Sequence, residues 1–362
     1  MGSFADKLVK KFEKSNVVRL SDKSNLDPSA TWTHTGSPEL DFNLGVLGYP
    51  KGLITLSGKS KSGKTTLGLT GVKNHQRAFG EDGVRIILSS ESRENKEYAE
   101  NLGLDAEDVI VLKSKFVEDL FMKLQEVLDY IYDLWHKEGR TGQPKIIILW
   151  DSVGATVSRA EVDSFRENIE IMKKNAEKGT DTKHKHVKMA AFAGAATAAM
   201  KNMLAQIYNN DICFLAINHL KSNLNSPGSY TPGGDWLEYL PCLALRPGLK
   251  EWVKVGEEQV GQITDVKVHK NDFGSRKSTE IEICLGYGIV LSESDIAFAV
   301  EAGIVKKEGA RKHSFLKGKL TWSTKKEFYG LYQGRNKLLN VLHTKVAKER
   351  HNALLTLRGV EE

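Results

Sequence analysis

Cysteine is scarce in this chain: Cys213, Cys242 and Cys284 are odd in number, form no CxxC pair and lie in or beside apolar, strand-like runs. That pattern argues against a disulfide framework and points to buried, reduced thiols in a cytoplasm. Long hydrophobic runs are missing too. The longest, such as KIIILWD, are far too short to span a bilayer. The N-terminus MGSFADKLVKKFEKS has no apolar stretch for a signal peptide, and Asp6 stands where a myristoylation signal requires Ser or Thr. No membrane partner is expected. No segment repeats at a fixed period, and neither charge sign dominates, since 52 Lys and Arg face 46 Asp and Glu for a net charge of +6. With 362 residues, 40% of them hydrophobic and 27% charged, the chain has an ordinary soluble composition. It can bury a large core, as two domains or as one with appendages.

What the sequence does contain is LITLSGKSKSGKTTLGL, in which Gly58 to Thr65 reads GKSKSGKT. This is GxxxxGKT between a run suited to a buried strand and a run suited to a helix. Gly58 and Gly63 let the backbone close round a phosphate and turn its N–H groups inward, while the helix starting near Lys64 aims its positive dipole end at the same place. Lys64 supplies a point charge for the β- and γ-phosphates, and Thr65 offers a hydroxyl to the Mg²⁺ that bridges them. ATP and Mg²⁺ are therefore the expected ligands. The residues expected to hold the nucleotide here are Gly58, Lys59, Ser60, Lys61, Ser62, Gly63, Lys64, Thr65 and Thr66.

Before this motif, Met1 to about Asn25 reads as a basic amphipathic helix with Phe4, Leu8 and Phe12 on one face, then an extended NVVRL and a polar linker. Such a helix packs on its own core or docks on another copy. From about Thr31 to Ile289, short apolar strands alternate with longer helical patterns, the mark of a mostly parallel sheet flanked by helices. In such α/β sheets the chemistry gathers at the carboxyl ends of the strands. Two stretches, Val157 to Val187 and Lys221 to Gly234, read as neither helix nor strand and are long for connections in a compact domain. Beyond Val290 the pattern changes to a short helical run, a basic stretch and a last helix through Leu338 to Leu357, as in a small appended domain. In the basic stretch Lys306 to Glu327, eight Lys or Arg stand against two Glu.

Three strand ends carry polar side chains. Asp151 closes IIILWD, where a carboxylate beside the phosphate loop can hold Mg²⁺ through water; the alternative is a cap for the next helix. Glu91 closes RIILSSE, where it could activate the water that attacks the γ-phosphate or serve as a surface turn residue. His219 closes DICFLAINH just before the second irregular stretch. It could sense the γ-phosphate and pass its presence to that loop, or be structural. The HKH at His184 to His186 has no further ligands at metal-site spacing and reads as solvated charge. Clustered lysines at Lys173 to Lys188 and Lys306 to Lys326 fit contact with a nucleic-acid backbone.

From about Asn16 to Glu327 these motifs, in this order, resemble the RecA family of recombinases. VVRLSDKS, TGSPELDFNLG and GLITLSGKSKSGKTTL look like the family's N-terminal segment and phosphate loop, and IIILWDSVGA like its second nucleotide motif. ESRENKEYAENLGLD is similar to the stretch carrying the catalytic Glu and the Tyr that stacks on adenine, here Glu91 and Tyr98. FLAINHLK resembles the γ-phosphate sensor segment, with His219 where RecA proper has Gln and where phage recombinases of the UvsX kind have His. TPGGDWLEYL, with Gly233 and Gly234, resembles the segment closing the second DNA-binding loop. VKVHKND resembles the segment whose Lys, here Lys270, reaches a neighbouring subunit's ATP.

The resemblance implies two DNA-binding loops, at about 157–187 and 220–234, with Lys183, Lys185, Lys188 and Lys221 as candidate contacts. It also implies catalytic roles for Glu91, Lys64, Lys270 and His219. The expected organisation is an N-terminal oligomerisation helix and linker (1–30), a RecA-like core (31–289) and a small basic C-terminal domain (290–362). Where bacterial members carry a second Lys, Asp272 stands here; the first loop region is longer and more basic; and only Glu361 and Glu362 remain of an acidic tail. These departures resemble a phage recombinase, which would act in a bacterial host's cytoplasm. The expected function is a DNA-dependent ATPase that forms filaments on single-stranded DNA, pairs it with duplex DNA and works with mediator and single-strand-binding proteins. The alternatives are a hexameric helicase, for which Met1 to Ala30 is too short to supply a primase-binding domain, and a regulatory ATPase, against which Glu91 argues.

Overall fold

The computed structural model describes residues 11, 33–45, 48–90, 96–178, 191–222, 229–334 and 336–357. In chain order, α1 (Pro38–Leu44) leads to β1 (Gly52–Gly58), α2 (Lys64–Phe79), β2 (Gly83–Ser89), α3 (Lys96–Leu102), β3 (Ile110–Lys113), α4 (Val117–Lys137) and β4 (Lys145–Asp151). Next come α5 (Arg159–Lys178), α6 (Ala191–Asn209), β5 (Ile212–His219), β6 (Lys221–Ser222), β7 (Ser229–Tyr230) and α7 (Trp236–Tyr239). The hairpin β8 (Leu243–Val255) and β9 (Glu258–Asn271) follows, then β10 (Thr279–Cys284) and β11 (Gly288–Val290). One sheet of nine strands runs in the order β11-β10-β9-β8-β1-β5-β4-β2-β3. From β8 to β3 neighbouring strands are parallel, and from β8 to β11 antiparallel.

Alternation along the strands divides the core between two faces. Ile147 and Leu149 of β4 join Leu67 and Val72 of α2 on one side. Ile146, Ile148 and Trp150 join Leu120, Leu124 and Leu128 of α4 and Met200 and Met203 of α6 on the other. With helices on both faces the central strands read as unbroken apolar runs, which is why KIIILWD is legible as a strand. The three cysteines are buried and unbridged. Burial pushes the Cys242 and Cys284 thiols up to about 12, so they stay protonated and unreactive.

Two expectations need correction. Within the stretch 157–187, read as irregular, Arg159–Lys178 is helical as α5 over twenty residues. Ser158 Oγ caps it by accepting the Glu161 N–H at 3.2 Å. Its apolar stripe of Phe165, Ile169 and Met172 is exposed rather than buried, so the helix lacks the packed face that a search for amphipathic core helices relies on. The second correction lies in β8, for which the sequence pattern reads as a short strand, Leu243 to Arg246. It continues through Pro247 and Gly248 to Val255 because β9 pairs with it, and that long-range pairing leaves no local pattern.

Beyond the sheet, α8 (Glu293–Glu301), the meander β12 (Lys306–Glu308), β13 (Lys312–Phe315) and β14 (Leu320–Trp322), α9 (Lys325–Gln333) and α10 (Lys337–Leu357) surround their own apolar cluster. The basic stretch thus forms three short strands, with Phe315, Leu320 and Trp322 inward and its lysines outward. Tyr329 Oη donates to Glu282 Oε2 at 2.8 Å, and Arg350 lies between Phe298 and Phe42, which tie this unit to the sheet and to α1.

Candidate functional site

The parallel strands end at one rim, where register sets Gly58 beside His219 and Ser89 beside Asp151. Between β1 and α2 the chain turns through Lys61 at φ 61° and Gly63 at φ 85°. A Cβ at Gly58 would lie 2.4 Å from the Pro247 carbonyl oxygen and 2.5 Å from Ser62 Oγ, so only glycine fits there. Lys64 begins α2 and its Nζ donates to the Lys59 carbonyl at 2.6 Å, which holds the ammonium within the arc of the loop. The first N–H groups of a helix have no partners of their own, so this arc concentrates donors and positive charge.

Next to it, Thr65 Oγ1 donates to Asp151 Oδ2 at 3.0 Å. A hydroxyl beside a strand-end carboxylate is an all-oxygen donor pair suited to a hard cation such as Mg²⁺. Across the opening, Tyr98 Oη and Thr66 Oγ1 share a hydrogen bond at 2.6 Å, and burial pushes the Tyr98 phenol up. The cleft enclosed by residues 60–66, Tyr98, Asp151 and His219 is about 970 Å³, at the upper end for a small-molecule site. Its fit to a nucleotide triphosphate rests on the glycine-walled arc, the inward lysine and the Thr–Asp pair together.

Two side chains in this cleft were not foreseen. Gln262, buried in β9, donates Nε2 to the Lys61 carbonyl at 3.2 Å and to Thr264 Oγ1 at 2.8 Å, so it braces the loop at its positive-φ residue. Trp252, opposite Gln262 in register, adds an aromatic wall. Both arrive on the hairpin, about two hundred positions from the loop, and no local signal could have announced them.

A family model described as the RecA N-terminal domain matches residues 3–290. A protein named Protein RecA from Frankia casuarinae is 32% identical over 307 residues, covering 83% of this chain and 79% of that protein. Its namesake from Frankia alni is 33% identical, with 83% and 78% covered, and that from Chlorobaculum parvum is 30% identical over 309 residues, with 84% and 79% covered. The chain belongs to the RecA family.

RecA-family proteins are DNA-dependent ATPases of homologous recombination, and this chain shares that class of activity. The other candidate residues of this RecA-family chain fall in three places. Glu91, Lys183, Lys185 and Lys188 lie outside the described residues. Lys221 is exposed just past the rim, and Gly233 and Gly234, at φ 121° and 105°, precede α7, where Trp236 Nε1 donates to the Gly233 carbonyl at 2.9 Å. Lys270 stays away from the cleft of its own chain. Its Nζ donates to the Tyr239 carbonyl at 3.0 Å and lies 3.6 Å from Asp272 Oδ2. Among the described residues no helix is long and apolar enough to cross a membrane.

Proposed function

We propose that the rim cleft binds ATP with Mg²⁺ and that its occupancy controls a filament on single-stranded DNA, which pairs that strand with homologous duplex. The approach of Thr65 Oγ1 to Asp151 Oδ2 beside the inward Lys64 carries this reading, because it joins a phosphate arc to a cation-binding pair. Lys64 and the loop N–H groups would hold the phosphates, and Tyr98 would flank the base. Thr65 and Asp151 would hold Mg²⁺, which when bound neutralises phosphate charge. Glu91 would take the proton of the attacking water. His219, one residue before Leu220, whose N–H donates to the Gly58 carbonyl at 3.1 Å, is suited to relay the γ-phosphate's presence to the DNA loop that begins at Lys221. Lys183, Lys185, Lys188, Lys221, Gly233 and Gly234 would meet DNA. His219 and the long basic first loop region support a phage recombinase of the UvsX kind, acting in a bacterial host with mediator and single-strand-binding proteins.

Electron microscopy with ATP and single-stranded DNA tests the assembly: continuous helical filaments are expected, and isolated six-membered rings would replace this reading with a helicase. The outward position of Lys270 fits a finger inserted into the next subunit. If it acts there, Lys64→Ala and Lys270→Ala should each lose DNA-dependent ATPase alone. Mixed equally in one filament, about a quarter of the head-to-tail interfaces would pair intact Lys64 with intact Lys270 and regain activity. A co-assembled mixture as inactive as either variant removes Lys270 from the active site.

A further inference from the structure

A second cleft, of about 590 Å³, lies between the outward face of α2 and one face of α10, away from the rim. Facing helices ordinarily bury apolar side chains or pair opposite charges. Here both walls carry basic side chains. α2 contributes Lys73 and Arg77, one turn apart, and α10 contributes His343, Lys348 and His351, with His34 at the edge. Like charges at i, i+4 repel, and among the described residues no carboxylate lies within ion-pair distance of Lys73, Arg77 or Lys348. The charged neighbours that act on the His343 imidazole are Lys73, Arg77 and His34, all of one sign.

Of the two acids that line this cleft, Asp41 is taken up by His34 and Thr35 at its edge and Glu100 by Lys96. Asp41 accepts His34 Nδ1 at 2.9 Å, the Thr35 N–H at 3.1 Å and Thr35 Oγ1 at 2.7 Å, while Glu100 lies 3.8 Å from Lys96 Nζ. Among the described residues His351 Nδ1 is buried with no hydrogen-bond partner, a cost that a ligand oxygen would remove. Asn74, Asn340 and Thr344 add neutral hydrogen-bonding groups to the same walls.

We propose that this cleft is a binding site for a compact polyphosphate anion, such as the di- or triphosphate group of a small molecule. A multivalent oxyanion would offset the repulsion between the two walls and accept from lysine, guanidinium and imidazole together. The shape favours a compact ligand over a nucleic-acid backbone. Lys73 and His343 are recessed between two helices, where a double helix cannot follow, and the space matches a small-molecule pocket. Because α2 begins at the phosphate loop and α10 belongs to the C-terminal unit, an anion here would clamp that unit to the helix that carries Lys64.

The test uses the full chain with its rim cleft saturated by ADP, so that the phosphate loop is occupied. Calorimetric titration with inorganic tripolyphosphate at low salt should reveal one further site per chain. The dissociation constant should rise at least tenfold in Lys73→Gln and in Arg77→Gln, the latter on an exposed side chain whose loss leaves the fold intact. The anion should also raise the pKa of the His343 imidazole, which burial and its cationic neighbours hold down at about 3, and bring its titration into a range that carbon-13 histidine spectra can follow. Absence of a further site, or an unchanged constant in Arg77→Gln, overturns the proposal. Displacement of the anion by a short single-stranded oligonucleotide at equal phosphate concentration would reassign the site to a nucleic-acid backbone and overturn it equally.

Discussion

Replacing Lys64 by Ala is expected to lower DNA-stimulated ATP hydrolysis by about 10²-fold or more while leaving the fold in place. A charge-assisted contact to phosphate is worth about 1.5–3 kcal/mol in the ground state, and more is lost as negative charge develops during transfer. Lys64 is 5% exposed and its ammonium rests on the Lys59 carbonyl, so the loop holds the donor near where phosphate oxygens would sit. Little reorganisation then accompanies binding, which is what makes a fixed donor effective. Steady-state ATPase with saturating single-stranded DNA measures the effect, with circular dichroism as the check on folding. Hydrolysis within tenfold of the parent would separate Lys64 from the chemistry and leave the glycine arc as a turn alone.

The second large effect concerns stability. Arg350→Met should destabilise the C-terminal unit by about 3–5 kcal/mol, because it strands a carboxylate in the interior. Asp295 is 0% exposed, and Arg350 Nε approaches its Oδ1 at 2.9 Å while the guanidinium stacks on Phe298 and Phe42. Burial raises the Asp295 carboxyl to about 6 even with Arg350 beside it pulling the other way. A folded-state value above the unfolded one means that the native state holds the extra proton, so this group's contribution weakens as pH rises from about 4 through 6. Without Arg350 the carboxyl rises further and the window of loss extends upward. The variant should therefore lose more stability at pH 8 than at pH 5 in urea unfolding, and hydrogen exchange should speed up along α10. Adding Asp295→Asn should restore much of the loss, since the uncompensated charge is gone. An equal loss at both pH values would assign the effect to packing against the two phenylalanines.

The C-terminal unit also illustrates where sequence reading stops. Lys306 to Glu327 reads as a run of charge, and its distribution over three short strands with Phe315, Leu320 and Trp322 turned inward depends on pairing between β12, β13 and β14. α5 is similar: its residues favour a helix, but with Phe165 and Met172 left in solvent there is no buried stripe to read.

The glycine loop, the acid at Asp151 and the alternation of strands with helices were determined by the sequence alone. Each is a local demand: a backbone turn that only Gly58 and Gly63 permit, a strand that ends in a carboxylate, a helix that needs a periodic face. What only the tertiary structure decided is which distant groups meet. Register between β2 and β4 brings Ser89 beside Asp151, and pairing between β8 and β9 carries Gln262 to the Lys61 carbonyl. The α2 and α10 cations become neighbours only when the C-terminal unit docks on the core. Residues this far apart in the chain are joined by packing of surfaces, which depends on the whole fold and leaves no spacing rule in the sequence.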